Sequence, residues 1–419
     1  MLRKLLWRPK NASTAWILWL SFLGTVLFGG LAAGILVFWK GLSITNLTDL
    51  VPWGLWITID LSSIALAAGA FSLCAAVHLF GLKRYEPIAR TATFIGLIGY
   101  TMAMLALVLD IGRPDRFWKA LVYWNPHSLL WEVTIAIILY TTVLVFETMP
   151  IFARFEWLRQ RFPKIAAWME RIHHYAPVLA IIGLGLSSMH QSSLGAAYGI
   201  IKGRPFWFKP EMSVLFMFSA IVGGISLTLF ASMLASRLTP KAKINDVLIE
   251  RVSRFVGWLL IGYFYFRAWD ALSTSYTYDP GQTEGLRLIT KGPLSFNFWF
   301  GEMLLGMIVP MILLLSTPTR TNRLWRMLAL FLVAAGVVAY RWDINISGLM
   351  VVMPYVPGQA IAYTSYRPSL VEIVMGSAII AYGLTAFSLG VKYLRVIDHR
   401  LIEPMHGVVT EENRETVRT

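Results

Sequence analysis

Ten stretches of this chain are each long and apolar enough to cross a bilayer, and this constrains the fold more than any other feature. A hydrocarbon core takes about 20 apolar residues per helix. The runs are Trp16–Trp39, Trp53–Phe80, Thr91–Leu109, Ser128–Phe146, Ala176–Ala197, Ser213–Leu234, Phe255–Ser273, Phe296–Leu315, Leu324–Tyr340 and Ser369–Val391. Backbone polar groups in lipid must be satisfied within the segment, so such runs are read as helices. The predicted fold is all-α: a polytopic transmembrane bundle of about ten helices, one membrane domain over residues 1–419, with a cytoplasmic tail at 392–419. Only 14% of the 419 residues are charged and 57% are hydrophobic, against about 25% charged in an ordinary soluble domain. A soluble enzyme, a nucleic-acid module and a disordered scaffold are excluded. The first run is too long for a signal-peptide core and no small-residue cleavage site closes it, so it is expected to be retained.

In a membrane protein, basic residues report topology before they report a nucleic-acid partner. The formal charge is +14. Of the 37 Lys and Arg, 25 fall on the N-terminal side, counting Arg326 at the head of the ninth run; 11 fall on the opposite side, and Arg267 lies within a run. This bias, with the even number of runs, predicts a multi-pass protein of a prokaryotic cytoplasmic membrane with both termini cytoplasmic. On the outer side, Asp270–Asn297 and Tyr340–Pro368 are long connections. Loops of this length are usually functional or disordered, and Tyr276, Tyr278, Tyr355, Tyr363 and Tyr366 argue against disorder. They read as folded caps or as a docking platform for an outer partner. Cys74 is the single cysteine, which excludes an internal disulfide, a cysteine zinc site and an iron–sulfur site of the chain's own. Any iron–sulfur chemistry belongs to a partner, and no metal site is predicted.

Ionisable residues inside membrane spans are costly and usually face the bundle interior or a cavity. At 1.5 Å per residue, Asp60 lies about 10 Å below the outer end of its run, His190 at a similar depth, and Glu132 about 6 Å. Arg267 and Glu302 sit in the outer halves of runs seven and eight, and Asp110, Glu211, Asp270, Arg341 and Glu372 at outer boundaries. The inner halves hold His78 and no acid. Snorkelling explains boundary residues but not Asp60, His190 and Glu302 at similar depth on three helices. An outward-facing polar pocket is the better account. Oxidation of a quinol sheds two protons and two electrons, so it needs hydrogen-bonding groups at the ring hydroxyls and a His or carboxylate as proton acceptor; His190, Asp60 and Glu132 supply these. A solute transporter would favour a midplane site with polarity on both sides. A membrane b-type haem needs two His at matched depth on facing helices. The sole candidate pair is His127 with His190, and His127 lies just outside its run, so no haem is expected.

Several strings carry a resemblance. Val51-Pro-Trp-Gly-Leu-Trp-Ile-Thr-Ile-Asp60 opens the second run and Asp110-Ile-Gly-Arg113-Pro closes the third. Asn125-Pro-His-Ser-Leu-Leu-Trp-Glu132 opens the fourth, and Met189-His190-Gln191-Ser192-Ser193-Leu194-Gly195 ends the fifth. Together they resemble the NrfD/PsrC family of integral membrane quinone-interacting subunits, in its ten-helix branch (HybB-like and DsrP-like). The resemblance implies two four-helix bundles with flanking helices, and a menaquinol or other quinone site in the first bundle near the outer face. It also implies no haem and a ferredoxin-like iron–sulfur subunit docked outside. Further redox subunits of hydrogenase, sulfur-metabolism or alternative complex III type are implied too. By motif, Asp60, Glu132 and His190 become quinone-facing and proton-handling residues, with Arg113 and Gln191 as neighbours in the quinone site. Arg267 and Glu302 match polar positions of the second bundle and suggest a proton path there.

The sequence therefore predicts a membrane subunit of a respiratory oxidoreductase complex, not an enzyme alone, that exchanges electrons between a quinone and an outer iron–sulfur partner. A secondary transporter and a passive membrane anchor for a redox enzyme are the rival readings.

Overall fold

The computed structural model describes residues 13–277, 281–353, 358, 360–394 and 396–399. Among the described residues the chain is a polytopic bundle of ten long helices: α1 (Thr14–Lys40), α2 (Leu55–His78), α3 (Glu86–Asp110), α4 (Leu129–Ala153), α5 (Ala176–Gly199), α6 (Met212–Leu238), α7 (Asp246–Tyr276), α8 (Asn297–Leu315), α9 (Arg323–Met350) and α10 (Leu370–Tyr393). Nine of them satisfy the length and composition of a membrane span. The exception, α7, is 31 residues long and carries Arg267 and Asp270 in its apolar stretch.

Short polar side chains start several of these helices by accepting from otherwise unbonded backbone N–H groups. Ser13 caps α1, Ser128 caps α4, Asn245 caps α7 and Asn322 caps α9. At α10, Ser369 and Glu372 form a reciprocal capping box. Glu372 also accepts from the backbone N–H of Asn46 at 3.0 Å and from the Tyr366 hydroxyl. Burial and the Glu372 carboxylate push the Tyr366 phenol above its ordinary range. Glu372, expected only as an outer-boundary residue, thus ties the α1–α2 connection to the head of α10.

Helices α2, α3, α4 and α5 pack in a closed ring, and α6, α7, α8 and α9 form a second ring. The rings join where α2 packs on α6 and α9. Glycines permit the closest approach, because a Cβ on Gly69 would collide with the Gly224 carbonyl. An aromatic row also bridges the rings. Trp53 stacks on Trp207, whose ring meets Tyr198 edge-on at 4.6 Å, and Phe216 and Tyr340 continue the row. The pair α1–α10 flanks the first ring along α2 and α3. A two-residue hairpin, Val351–Val352 with Ala362–Tyr363, follows α9.

Several predicted boundaries move, among them the start of α7, nine residues before the predicted Phe255. Helix α4 runs to Ala153, seven residues past the predicted end, so Glu147 is inside it. Helix α9 runs to Met350, and the predicted loop start at Tyr340 is buried helix. Its polar residues lower the hydropathy but find partners inside the protein: Asn345 donates to Thr58 Oγ1 at 3.1 Å and to the Trp53 carbonyl at 3.2 Å, and accepts from Tyr198 at 2.9 Å. In the predicted tail, α10 ends at Tyr393 and Val396–His399 form a buried strap. Lys243 N–H donates to the Ile397 carbonyl at 3.1 Å, and His399 N–H donates to the Lys243 carbonyl at 2.8 Å. Residues 278–280 of the first outer connection, with Tyr278, residues 354–357 and 359 of the second, with Tyr355, and the basic residues of the chain ends other than Lys392 lie outside the described residues.

Candidate functional site

The first ring encloses a polar group built from α2, α3, α4 and α5. His190 is fully buried on α5. Its Nδ1 is hydrogen-bonded to the Tyr100 hydroxyl of α3 at 3.3 Å. Tyr100 meets Tyr140 of α4 edge-on, with ring centroids 4.6 Å apart. Next to His190, the Gln191 amide donates to the Ile64 carbonyl of α2 at 3.0 Å, one turn from Asp60. Asp60 is buried and close enough to Tyr100, Asp110 and Arg341 to interact electrostatically. At the start of α4, the half-buried Glu132 accepts from the Ser193 hydroxyl of α5.

Several of these groups lack a full set of partners. Asp60 Oδ1, His190 Nε2, Gln191 Oε1, Ser187 Oγ and the Tyr140 hydroxyl are buried and make no hydrogen bond among the described residues. An unpaired buried polar atom costs roughly 1–3 kcal/mol, and most such atoms in proteins are paired. Five such atoms lie in this one ring.

The structure thus brings Asp60, His190 and Gln191 together and places Glu132 beside the same α5 face. It does not bring Arg113 there. Arg113 lies beyond α3, is 63% exposed, and forms a forked pair with Asp115 at 3.0 and 3.1 Å. That pair holds the Asp115 carboxyl below its ordinary value. The motif neighbourhood of Arg113 suggested a site residue, but its cation is already matched within its own turn.

The second ring holds a separate charged chain. Arg267 of α7 donates to Glu302 of α8 at 2.7 Å and to Asp270 at 2.5 Å. Lys209, also buried, reaches Asp270 at 2.8 Å. Glu302 rises from a π-helical stretch, Asn297–Ile308, a geometry that recurs at functional sites. Nearby, Asn297 donates to Asp343 at 2.8 Å, while Arg341 lies over the Phe216 ring and donates to the Ser219 hydroxyl at 3.1 Å. Glu302 Oε2 and Asp343 Oδ2 are unpartnered among the described residues.

Sequence reasoning missed Tyr100, Tyr140 and Ser187, because an aromatic or a hydroxyl in an apolar run looks like packing. It missed Asp343 because the ninth run seemed to end before it. It also missed Glu147, which contradicts the expectation that the inner halves hold no acid. No His/Cys/Asp/Glu group of metal-binding size occurs among the described residues.

This arrangement of two rings and a buried His–Tyr–Asp group can be set beside known proteins. Residues 43–353 match the family model described as polysulphide reductase, NrfD. The chain belongs to the NrfD family. The match spans both rings, from the connection before α2 to the hairpin after α9. NrfD-family relatives extend it to most of the chain. The integral membrane subunit of menaquinone reductase from Nitratidesulfovibrio vulgaris is 31% identical over 392 residues, 91% of each chain. The Hdr-like menaquinol oxidoreductase integral membrane subunit of Archaeoglobus fulgidus is 26% identical, covering 86% of this chain and 89% of its own. The probable Ni/Fe-hydrogenase 2 b-type cytochrome subunit of Escherichia coli K12 is 26% identical, covering 86% and 87%.

Proposed function

We propose that this chain is the quinone-facing membrane subunit of a prokaryotic respiratory oxidoreductase complex. It sits in the cytoplasmic membrane with both termini inside and passes electrons between menaquinol, or another quinone, and an iron–sulfur subunit on the outer face. The observation that carries the reading is the set of unpartnered buried atoms on Asp60, His190 and Gln191, facing one ring interior beside Glu132. The names of the N. vulgaris and A. fulgidus relatives support a menaquinone-type substrate.

A quinone offers two carbonyl oxygens and its quinol two hydroxyls, so its site must both donate and accept. His190 suits this. With Nδ1–H donating to the Tyr100 oxygen, Nε2 is an acceptor for a quinol hydroxyl; with Tyr100 donating, Nε2–H is a donor for a quinone carbonyl. Gln191 is fixed by Ile64 and presents Oε1 as a second acceptor. Asp60 takes or returns the second proton. Glu132, nearest the outer water and hydrogen-bonded to Ser193, exchanges protons with that side. In the second ring, Arg267 and Glu302 form a further proton path, with Glu302 Oε2 as its open position. No haem is bound here in this reading: His127 is exposed in a loop while His190 is buried and tied to Tyr100. The E. coli relative carries a b-type cytochrome name, so the point rests on this chain's histidines.

Glu132→Gln keeps the shape and removes the titratable charge, and His190→Ala removes the switching donor. Loss of a placed proton acceptor typically costs about 10²–10⁴-fold. In the purified complex, quinol turnover falls by that order with assembly intact. Parent turnover in both assembled variants makes the chain a passive anchor instead.

A further inference from the structure

At the end of the bundle where α1 starts and α10 finishes, a cavity of about 1140 Å³ opens among the head of α3, the end of α4, the α4–α5 and α6–α7 connections and the end of α10. Its walls are charged. Glu86 and Glu170 are matched there by Arg90 at 3.7 Å and by Arg159 at 3.9 Å. Arg154, Lys241, Lys243 and Lys392 also line it, and none of these four is in an ion pair among the described residues. Of the other acids on the wall, Asp398 has a partner of its own. Glu147 stands on the α5 side, 3.8 Å from where a Cβ on Gly183 would lie, and Glu156 opens a short helix.

The fold forces two of the lysines together. The strap after α10 pairs with the α6–α7 connection, Lys243 N–H donating to the Ile397 carbonyl at 3.1 Å. Lys241 is thereby within electrostatic reach of Lys392. Lys392 is held in turn over the Trp16 ring of α1, 4.1 Å from its centre. Like charges this close repel, and an anion between them removes that cost.

The surroundings say that the anion belongs to a lipid. A Trp beside a Lys at the end of two membrane helices marks the level where the apolar core meets the headgroups. Next to the cavity, Phe162 and, in the short helix Pro163–Arg171, Ile165 and Trp168 follow at three-residue spacing, so they share one face, and all three are exposed. Arg159, Arg161, Lys164 and Arg171 surround them. This is the make-up of a helix that lies in the interface against anionic lipid. The cavity also has an apolar side. Phe146 on its wall is exposed, and Ile151 on its wall belongs to a cluster with Phe94, Phe152, Phe387 and Val391 between α3, α4 and α10.

We propose that this cavity holds the phosphodiester headgroup of an anionic phospholipid from the leaflet on that side. Lys241 and Lys392 take the phosphate, Arg154 and Lys243 supply further positive charge, and the acyl chains lie against the α3–α4–α10 cluster. Basic pockets between membrane helices take such headgroups. The bound lipid bridges α10, the α6–α7 connection and the α4–α5 connection, and so stabilises their packing by mass action. The site is independent of the quinone reading.

The test uses the whole complex in detergent, stripped of loose lipid and titrated with fluorescent phosphatidylglycerol. Phosphatidylcholine with the same label is the neutral comparison, and inorganic phosphate is the competitor. The parent complex is expected to bind phosphatidylglycerol saturably and phosphatidylcholine weakly, and excess inorganic phosphate to leave the lipid bound. Lys241→Gln with Lys392→Gln is expected to weaken phosphatidylglycerol binding roughly tenfold or more. Lys241→Gln alone, at an exposed side chain that packs against nothing in the core, is expected to weaken it roughly fivefold with assembly intact. Lys83→Gln with Arg251→Gln removes the same charge from exposed positions away from the cavity and is expected to keep the parent affinity. Parent affinity in the Lys241 variants overturns the site. So does an equal loss in the Lys83 and Arg251 variant, which makes the attraction a general surface field. Displacement of phosphatidylglycerol by inorganic phosphate makes the cavity a site for a soluble anion and overturns the lipid assignment.

Discussion

Arg267 illustrates how a single side chain can be both anchor and functional candidate. It is buried between Glu302 and Asp270 and lies 4.8 Å from the centre of the Tyr340 ring. Breaking a buried pair by removing one partner is costly, about 3–5 kcal/mol, because the other charge stays buried alone. Asp270 keeps Lys209 as a second cation, so the penalty falls on Glu302. Arg267→Met is therefore expected to lower the melting temperature of the detergent-solubilised complex, and Arg267→Met with Glu302→Met to recover most of the loss. A double variant as unstable as the single one would show that the arginine acts through packing instead. The same scale explains why the sites were only partly legible. Asp60, His190 and Glu302 stand out because a charge in an apolar run is expensive. Tyr100 and Tyr140 carry no such flag, and Arg113, which a motif and not an apolar run singled out, pairs with Asp115 two residues away.

At the scale of elements, hydropathy located the helices and misjudged their ends. The ten runs correspond to α1–α10. The early end set for the fourth run hid Glu147. Asn345 and Asp343 ended the ninth run on paper because hydropathy cannot see that Thr58, Tyr198 and Asn297 satisfy them. The strap after α10 makes a different prediction. His399 is buried, its Nδ1 accepts from Asn245 N–H at 3.2 Å, and burial lowers its pKa to about 4. An unfolded histidine titrates near 6.5. The docked strap thus binds fewer protons than the freed one between those values. Its stability is full above about pH 6.5 and declines as pH falls toward 4. Hydrogen exchange of Val396–His399 should speed up across that window, and His399→Leu should flatten the dependence. A pH-independent rate in the parent would contradict the buried neutral histidine.

The whole molecule is two four-helix rings with a flanking pair, and each ring holds its own buried polar group. The proposed outer partner should cover the end of the molecule that carries the short helix Gln282–Thr290 and the hairpin. Cys74 is the chain's single cysteine, so in a Cys74→Ala background a cysteine placed at the exposed Thr283 is the sole addressable thiol. Labelling should be suppressed in intact membranes and rise when the partner is stripped; equal labelling in both would move the docking surface elsewhere. The central claim is that His190, Asp60 and Gln191 hold a quinone headgroup, and binding tests it more directly than turnover. A fluorescent hydroxyquinoline N-oxide, a mimic of the quinol headgroup, should be quenched on titration with the purified complex. His190→Ala and Asp60→Asn should each weaken that binding by tenfold or more without loss of assembly. Parent affinity in both assembled variants would place the quinone site outside the first ring.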